Sequence, residues 1–375
     1  MKNRDGRVMR RIVGFVILSA REGSAFWRRR TKQILRLRLR MTIAALTLRV
    51  RAHAALIFVV VIAASTALAS AQEKVRFPIG ASSKTFSYGP LWVAQKMGFF
   101  EKEGIEGQIV VMRGTPITLQ ALATESIYVA NAGTDAVITG VDKGLDFAMI
   151  GSLLNNLSMS LVAAKPYKTW DDLRGKVIGS QTITSGTGFA LRLVLRAHGL
   201  EYPRDYQILH VGGVSDRWIA LQSGQIAATP VSVPLDMTAK QQGFNIIGYF
   251  ADDIPNYFLN PYTVKRSWAE KNRPLVVRFM KAIAQTHRWM FENREPTCAL
   301  LSKEMAMTLD GCRAAWDYSV KKVWDRNAEL SLDGVRTMIK IVGEINNQKE
   351  PLAPPAKYID QSYLRQALSE LKLRQ

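Results

Sequence analysis

Cysteine and histidine are scarce, with two Cys and four His in 375 residues. Two Cys exclude a disulfide-rich scaffold and any Cys-based zinc or iron–sulfur cluster. His198, His210 and His287 stand at no metal-ligand spacing from another His, Cys or carboxylate. No G-x-S-x-G elbow, Walker loop or H-E-x-x-H helix occurs, and the Gly-containing run from Thr182 to Gly188 is neither a phosphate loop nor a dinucleotide fingerprint. The sequence therefore predicts no catalytic residue, no metal and no cofactor. Cys298 and Cys312 lie 14 residues apart on neighbouring predicted helices. A disulfide and a pair of buried thiols both fit that spacing.

What the chain does have is positive charge, +20 in all, alongside a hydrophobic fraction of 47% that excludes wholesale disorder. At first sight the charge suggests a nucleic-acid partner. Its distribution argues otherwise. Met1 to Ala71 carries 15 Lys+Arg against two Asp+Glu, a local +13, and the remaining chain keeps only +7. The basic stretch runs into Ala54–Ala64, an uncharged apolar run of 11 residues, where a membrane-spanning helix needs about 20. Ala69-Ser70-Ala71 follows with small residues at both signal-peptidase positions. These are the parts of a secretory signal, with cleavage expected after Ala71. Met41 opens a leader of ordinary form within a longer extension over 1–71. Arg28-Arg29-Arg30 lacks the hydrophobic pair of a twin-arginine signal, so general secretion to the periplasm is expected. The basic block then leaves with the leader, and no nucleic-acid partner is predicted.

Beyond Gln72, strands and helices alternate: strands at Val75–Gly80, Gln108–Met112, Ile127–Ala130 and Phe147–Leu153, with helices at Leu91–Lys96 and Ile117–Thr124. This pattern predicts a mostly parallel α/β sheet. A second set follows. It has strands at Val177–Gly179, Gln207–Val211, Ile226–Val231 and Asn245–Phe250, and helices at Thr187–His198, Trp218–Ser223 and Leu235–Gln242. Thr169-Trp-Asp-Asp172 reads as a capping box opening a helix. Five helices are expected after Trp268. The two sets echo each other: Ala121–Ile127 recurs as Ala220–Ile226 and Gly144–Phe147 as Gly243–Ile246, both 99 residues later. One register over that span argues for two similar lobes.

Polar loops stand where strands end and helices begin, around Ser82-Ser83, Arg113-Gly114-Thr115, Gly133-Thr134-Asp135, Thr184 to Thr187 and Ser232. In open α/β sheets ligands bind outside the carboxyl ends of the strands, and helix N-termini favour anionic groups. Tyr88, Tyr257 and Phe258 are candidates to enclose an organic body.

Tyr88-Gly-Pro-Leu-Trp-Val-Ala-Gln-Lys-Met-Gly-Phe-Phe-Glu-Lys-Glu-Gly-Ile105 resembles the opening helix of SsuA/THI5-like (NMT1-type) periplasmic substrate-binding proteins. Trp170–Ile178 and Ala220–Ala228 resemble that family's entry into the second lobe and its helix–turn–strand segment. The resemblance implies a type II periplasmic-binding-protein fold, two α/β lobes with a ligand cleft between them. It places lobe 1 over 72–160, lobe 2 over 161–255, and the return to lobe 1 with the C-terminal helices over 256–375. Crossings are expected near Ser158–Ala164 and Tyr249–Val264. By position it implies ligand contacts from Ser82, Ser83, Thr85, Tyr88, Arg113, Gly114, Thr115, Thr134, Asp135, Thr184, Ser185, Gly186, Thr187, Ser232 and Tyr257. It also implies a monomeric, non-enzymatic receptor that hands a small organic solute, sulfonate-like or an aromatic carboxylate, to an ABC permease with its ATPase. The alternatives are a binder of a thiamine-pyrimidine precursor, or an enzyme of the thiamine pyrimidine synthase type. The enzyme's Cys-rich motif is missing from this chain.

Overall fold

The computed structural model describes residues 74–112, 114–181, 183, 186–233 and 235–373. The leader expected over 1–71 therefore lies outside the described residues, as do Arg113, Thr184 and Ser185. Residues 74–375 form one compact unit.

That unit is built on two five-stranded sheets. The strands are β1 (Val75–Ala81), β2 (Ile105–Val111), β3 (Val129–Asn131), β4 (Phe147–Leu154), β5 (Met159–Ala163), β6 (Val177–Ser180), β7 (Gln207–His210), β8 (Ala228–Ser232), β9 (Asn245–Tyr249) and β10 (Asn260–Lys265). One sheet has the order β2-β1-β3-β10-β4 and the other β7-β6-β8-β5-β9. In each, parallel strands carry one antiparallel insert that comes from the far part of the chain: β10 pairs antiparallel with β3 and β4, and β5 with β8 and β9. The expected crossings thus shift. The chain passes between sheets at 155–158 and 250–259, while most of Ser158–Ala164 is strand β5. Its apolar run reads as a connection until the antiparallel partners are known.

The helices are α1 (Gly89–Lys96), α2 (Phe99–Lys102), α3 (Thr115–Ala123), α4 (Thr134–Asp142), α5 (Gly186–Ala197), α6 (Val214–Gln222), α7 (Leu235–Gln241), α8 (Phe250–Asp253), α9 (Arg266–Lys271), α10 (Arg273–Glu292), α11 (Arg294–Glu304), α12 (Leu309–Lys322), α13 (Leu332–Ile345) and α14 (Ser362–Glu370). Pro90 and Pro116 sit in first turns, where the missing N–H costs nothing. Thr308 and Ser331 cap α12 and α13 by accepting from the Gly311 and Gly334 amides at 3.1 and 3.0 Å. The Thr169–Asp172 box forms as expected, with the Thr169 amide donating to Asp172 at 2.9 Å. It opens only a 3-10 turn at 171–173, not a helix.

The heaviest core lies under the first sheet. There Phe77 stacks on Phe279 at 5.2 Å, and Phe100 on the same ring at 5.9 Å, as α10 packs against α1, α2 and α14. Each such ring contributes roughly 1.5–3 kcal/mol by leaving water. Strand β4 is buried along its whole length. Cys298 and Cys312 are buried free thiols in contact across α11 and α12.

Candidate functional site

Among the described residues, helices begin at the carboxyl ends of parallel strands on both sheets: α3 after β2, α4 after β3, α5 after β6, α6 after β7 and α7 after β8. Doubly wound sheets place their ligand sites along that edge. Here the edges of the two sheets face each other. The Asp135 carboxyl oxygens lie so close to Gly186 that a Cβ there would meet them at 3.4 and 3.5 Å. Asp135 stands in the first turn of α4 on one sheet, and Gly186 opens α5 on the other. Tyr257, from the second crossing, donates its hydroxyl to the Gly186 carbonyl at 3.4 Å. The Gly133 amide donates to Thr115 Oγ1 at 3.2 Å, joining the α3 and α4 loops, and a Cβ at Gly133 would strike Asp135 Oδ1 at 2.4 Å. Thr115, Gly133, Asp135, Gly186 and Tyr257 therefore form one inter-lobe cluster.

Electrostatics at this cluster centre on Asp135. Burial pushes its carboxyl pKa up, and the Ala136 amide, which favours the ionised form, pulls the other way. The Tyr257 hydroxyl is driven up by burial first and by the nearby Asp135 charge second. An ionised carboxylate only accepts hydrogen bonds, and a protonated one also donates.

The other expected contacts are placed differently. Ser82 turns into its own lobe, donating to the Asn131 carbonyl at 2.6 Å and pairing with Thr118 Oγ1 at 3.0 Å. Thr134 is buried, and its hydroxyl donates to Leu259 O at 3.1 Å. Gly114 takes φ 109°, a glycine conformation, and its carbonyl accepts from Thr118 Oγ1 at 2.8 Å. Thr85 precedes the 3-10 turn 86–88, and its carbonyl accepts from the Tyr88 amide at 3.0 Å. Tyr88 is buried, its hydroxyl accepting a short bond from Asn260 Nδ2, and burial raises its pKa. Ser83, Thr187 and Ser232 are half-buried. Phe258 is fully buried.

Beside Tyr88 lies a polar seam that sequence reasoning missed. Ser87 and Ser158 share a hydrogen bond of 2.7 Å, and Trp324 donates to the Ser87 carbonyl at 3.2 Å. With Asn260 these residues tie the opening helix to both crossings. Ser158 falls just before β5 and Asn260 starts β10, so strand pairing was the signal that would have found them. Among the described residues, no group of three His, Cys, Asp or Glu is placed to hold a metal ion, and no helix is long and apolar enough to cross a membrane.

A family model described as NMT1/THI5 like matches residues 85–296, more than half of the chain. The chain belongs to that family. YtlA of Bacillus subtilis (strain 168) is 24% identical to this NMT1/THI5-like chain over 229 residues, covering 59% of it and 69% of the relative. The periplasmic aliphatic sulphonate binding protein SsuA from Escherichia coli superposes with a TM-score of 0.63 at 20% identity, over 78% of this chain and 99% of that one. The periplasmic nitrate-binding protein NrtA from Synechocystis PCC 6803 gives 0.64 at 14% identity, over 80% and 90%. The two sheets with crossed antiparallel inserts are thus the periplasmic-binding-protein fold expected for the family.

Proposed function

We propose that the chain is an extracytoplasmic solute-binding protein of an ABC import system, binding a small organic anion in the cleft between its sheets. The observation that carries this reading is the meeting of Asp135, Gly186 and Tyr257 at the facing carboxyl ends of two equivalent sheets. A solute held there touches both lobes, and closure around it is the signal a permease with its ATPase reads. The names of the SsuA and NrtA neighbours support an oxyanion-bearing solute. So does a site framed by helix N-termini. The basic leader supports export to the periplasm.

In this reading Asp135 is the group that sets pH dependence. With its carboxyl pKa raised by burial, the protonated form persists above the ordinary carboxylate range. It then donates to the anion, where the ionised form repels it. Affinity for an anionic solute should therefore rise as pH falls through the raised value toward the ordinary carboxylate range. The test is calorimetry and thermal shift of the purified protein against alkanesulfonates, aromatic carboxylates and pyrimidines. One anionic class should bind, and Asp135→Asn should flatten its pH profile and change its affinity by about tenfold or more. Binding of pyrimidines alone would favour the thiamine-precursor reading, and no binding by any anion would reject the organic-anion class.

A further inference from the structure

A cavity of about 370 Å³ lies between α5 and the C-terminal end of α13. Its α5 wall is Phe189, Arg192, Leu193 and Arg196, spaced i, i+3, i+4 and i+7 and so on one helical face. Ile183 and Ile345 complete the apolar lining, with Glu344 on the rim. Arg192 lies about 9 Å along the helix axis from Gly186, six residues at the α-helical rise. The two walls belong to different sheets. α5 follows β6, while α13 packs on α4 and is tied to it by Asn346–Thr139 at 3.4 Å and Gln348–Asp142 at 3.0 Å.

Two cations of α5 line this cavity, with the Glu344 carboxylate at its rim. Arg192 lays its guanidinium over the Phe189 ring at 5.3 Å, and its Nε is buried with no hydrogen-bond partner. Among the described residues no carboxylate forms an ion pair with Arg192, and its side chain lines the cavity, where an acid group can pair with the guanidinium. Arg196 adds a second cation, shared with Glu201 at 2.9 Å. Apart from Glu344 the remaining lining is aliphatic or aromatic, and the volume falls in the range of small-molecule sites. We infer that this cavity is a second binding site, for one amphipathic organic anion, an aryl or alkyl carboxylate or sulfonate. Its acid group pairs with Arg192 while its apolar body packs on Phe189, Leu193 and Ile345. Because such a ligand touches α5 and α13 together, it clamps the two lobes from outside the cleft. The inference does not rest on what the cleft floor takes.

Naphthalene-1-sulfonate is a suitable probe, titrated into the purified protein by calorimetry. A saturable transition is expected beyond any at the cleft. Arg192→Met should weaken it by at least about tenfold, as expected for loss of a charge-assisted bond. Leu193→Trp, which fills the cavity, should abolish it. The uncharged 1-naphthalenemethanol should bind at least about tenfold more weakly than the sulfonate. Asp135→Asn, which alters the cleft instead, should leave in place the transition that Leu193→Trp removes. Melting curves establish that each variant is folded; should Arg192→Met fail to fold, Leu193→Trp and the neutral compound decide. The inference is overturned by absence of saturable binding to the wild type, by equal affinity for the neutral compound, or by binding that survives Leu193→Trp and is lost in Asp135→Asn.

Discussion

The two lobes are the same unit written twice, and the places where they differ show what each is for. The 99-residue register seen in sequence persists as a register of hydrogen bonds. Met112 donates to Ala81 at 2.8 Å and Val211 to Ser180 at 2.9 Å; Tyr128 to Pro78 at 2.9 Å and Ala227 to Val177 at 2.8 Å. The helix ends match too, Ser126 to Ala121 at 2.9 Å against Gln225 to Ala220 at 3.0 Å, and Leu145 to Gly140 at 2.9 Å against Phe244 to Ala239 at 3.0 Å. What differs is cover. The C-terminal helices pack their aromatic core on the first sheet, where β4 is wholly buried, while its counterpart β9 is only half-buried. Lobe 1 is a heavily supported platform and lobe 2 the lighter partner.

The largest expected effect tests the shared unit itself. A Cβ at Gly80 would lie 2.4 Å from Ile127 Cδ1, and one at Gly179 would lie 2.4 Å from Ile226 Cδ1. Gly80→Ala and Gly179→Ala should each destabilise by about 1–3 kcal/mol through overpacking, read from urea unfolding midpoints. Removing the offending methyl with Ile127→Val or Ile226→Val should recover part of that loss. Recovery should be fuller in lobe 2. Gly80 also meets Thr118 Cγ2 at 3.1 Å, whereas the next contacts of Gly179 are at 3.5 Å. Equal recovery in both lobes would show that the two strand–turn contacts relax alike and that the difference in cover does not reach this layer.

This shared unit was legible because it is local. Helix, left-handed turn and strand are each specified within about ten residues, so the echo carried the fold across both lobes. The inserts β5 and β10 were not, since Met159–Ala163 is apolar whether it crosses or pairs, and only the neighbouring strands decide. Helix α4 escaped the pattern because Thr134–Asp142 is rich in β-branched residues and contains Gly140, which are weak helix formers. At the site, loops were correctly located at strand ends, but no sequence signal separates Ser82 and Thr134, whose hydroxyls are consumed internally, from Asp135, which faces the other lobe. Asp236 gave no signal at all, because an acidic residue in a first helical turn reads as a dipole partner.

Asp236 supplies the middle-sized test. It is fully buried in α7 where the 99-residue register puts the equally buried Val137 in lobe 1. Its Oδ2 has no hydrogen-bond partner, although the Ser160 and Tyr249 hydroxyls lie beside the carboxyl. Burial raises its pKa above the ordinary value, with the Met237 amide and those hydroxyls opposing. The folded state therefore holds its proton to higher pH than the unfolded chain does. Stability falls as pH rises from about 3.9, the ordinary carboxylate value, through the raised one, and is level above it. Asp236→Asn should thus be more stable than the wild type by about 1 kcal/mol at neutral pH, the low end of the cost of an unsatisfied buried oxygen. The gain should vanish toward about pH 4. A gain independent of pH would show that the charge is not what lobe 2 bears.

The smallest effect concerns one turn. Between helix and strand each lobe needs a left-handed residue, supplied by Glu125 at φ 59° in lobe 1 and by Gly224 at φ 76° in lobe 2. A side chain in that conformation costs roughly 1 kcal/mol, and glycine escapes the cost. Gly224→Ala should destabilise lobe 2 by about 0.5–1 kcal/mol. The reverse change, Glu125→Gly, relieves strain but gives up the ion pair with Lys265 Nζ at 2.6 Å, whose partners are 29% and 44% exposed. A pair that open to water contributes about 0.2–1 kcal/mol and weakens with salt. The net effect of Glu125→Gly should therefore be near zero in dilute buffer and become stabilising, by about 0.5 kcal/mol, at about 1 M salt. Unfolding midpoints at the two ionic strengths separate the terms. If Glu125→Gly destabilises equally at both, Glu125 is held by packing instead of charge, and the two turns are alike only in backbone.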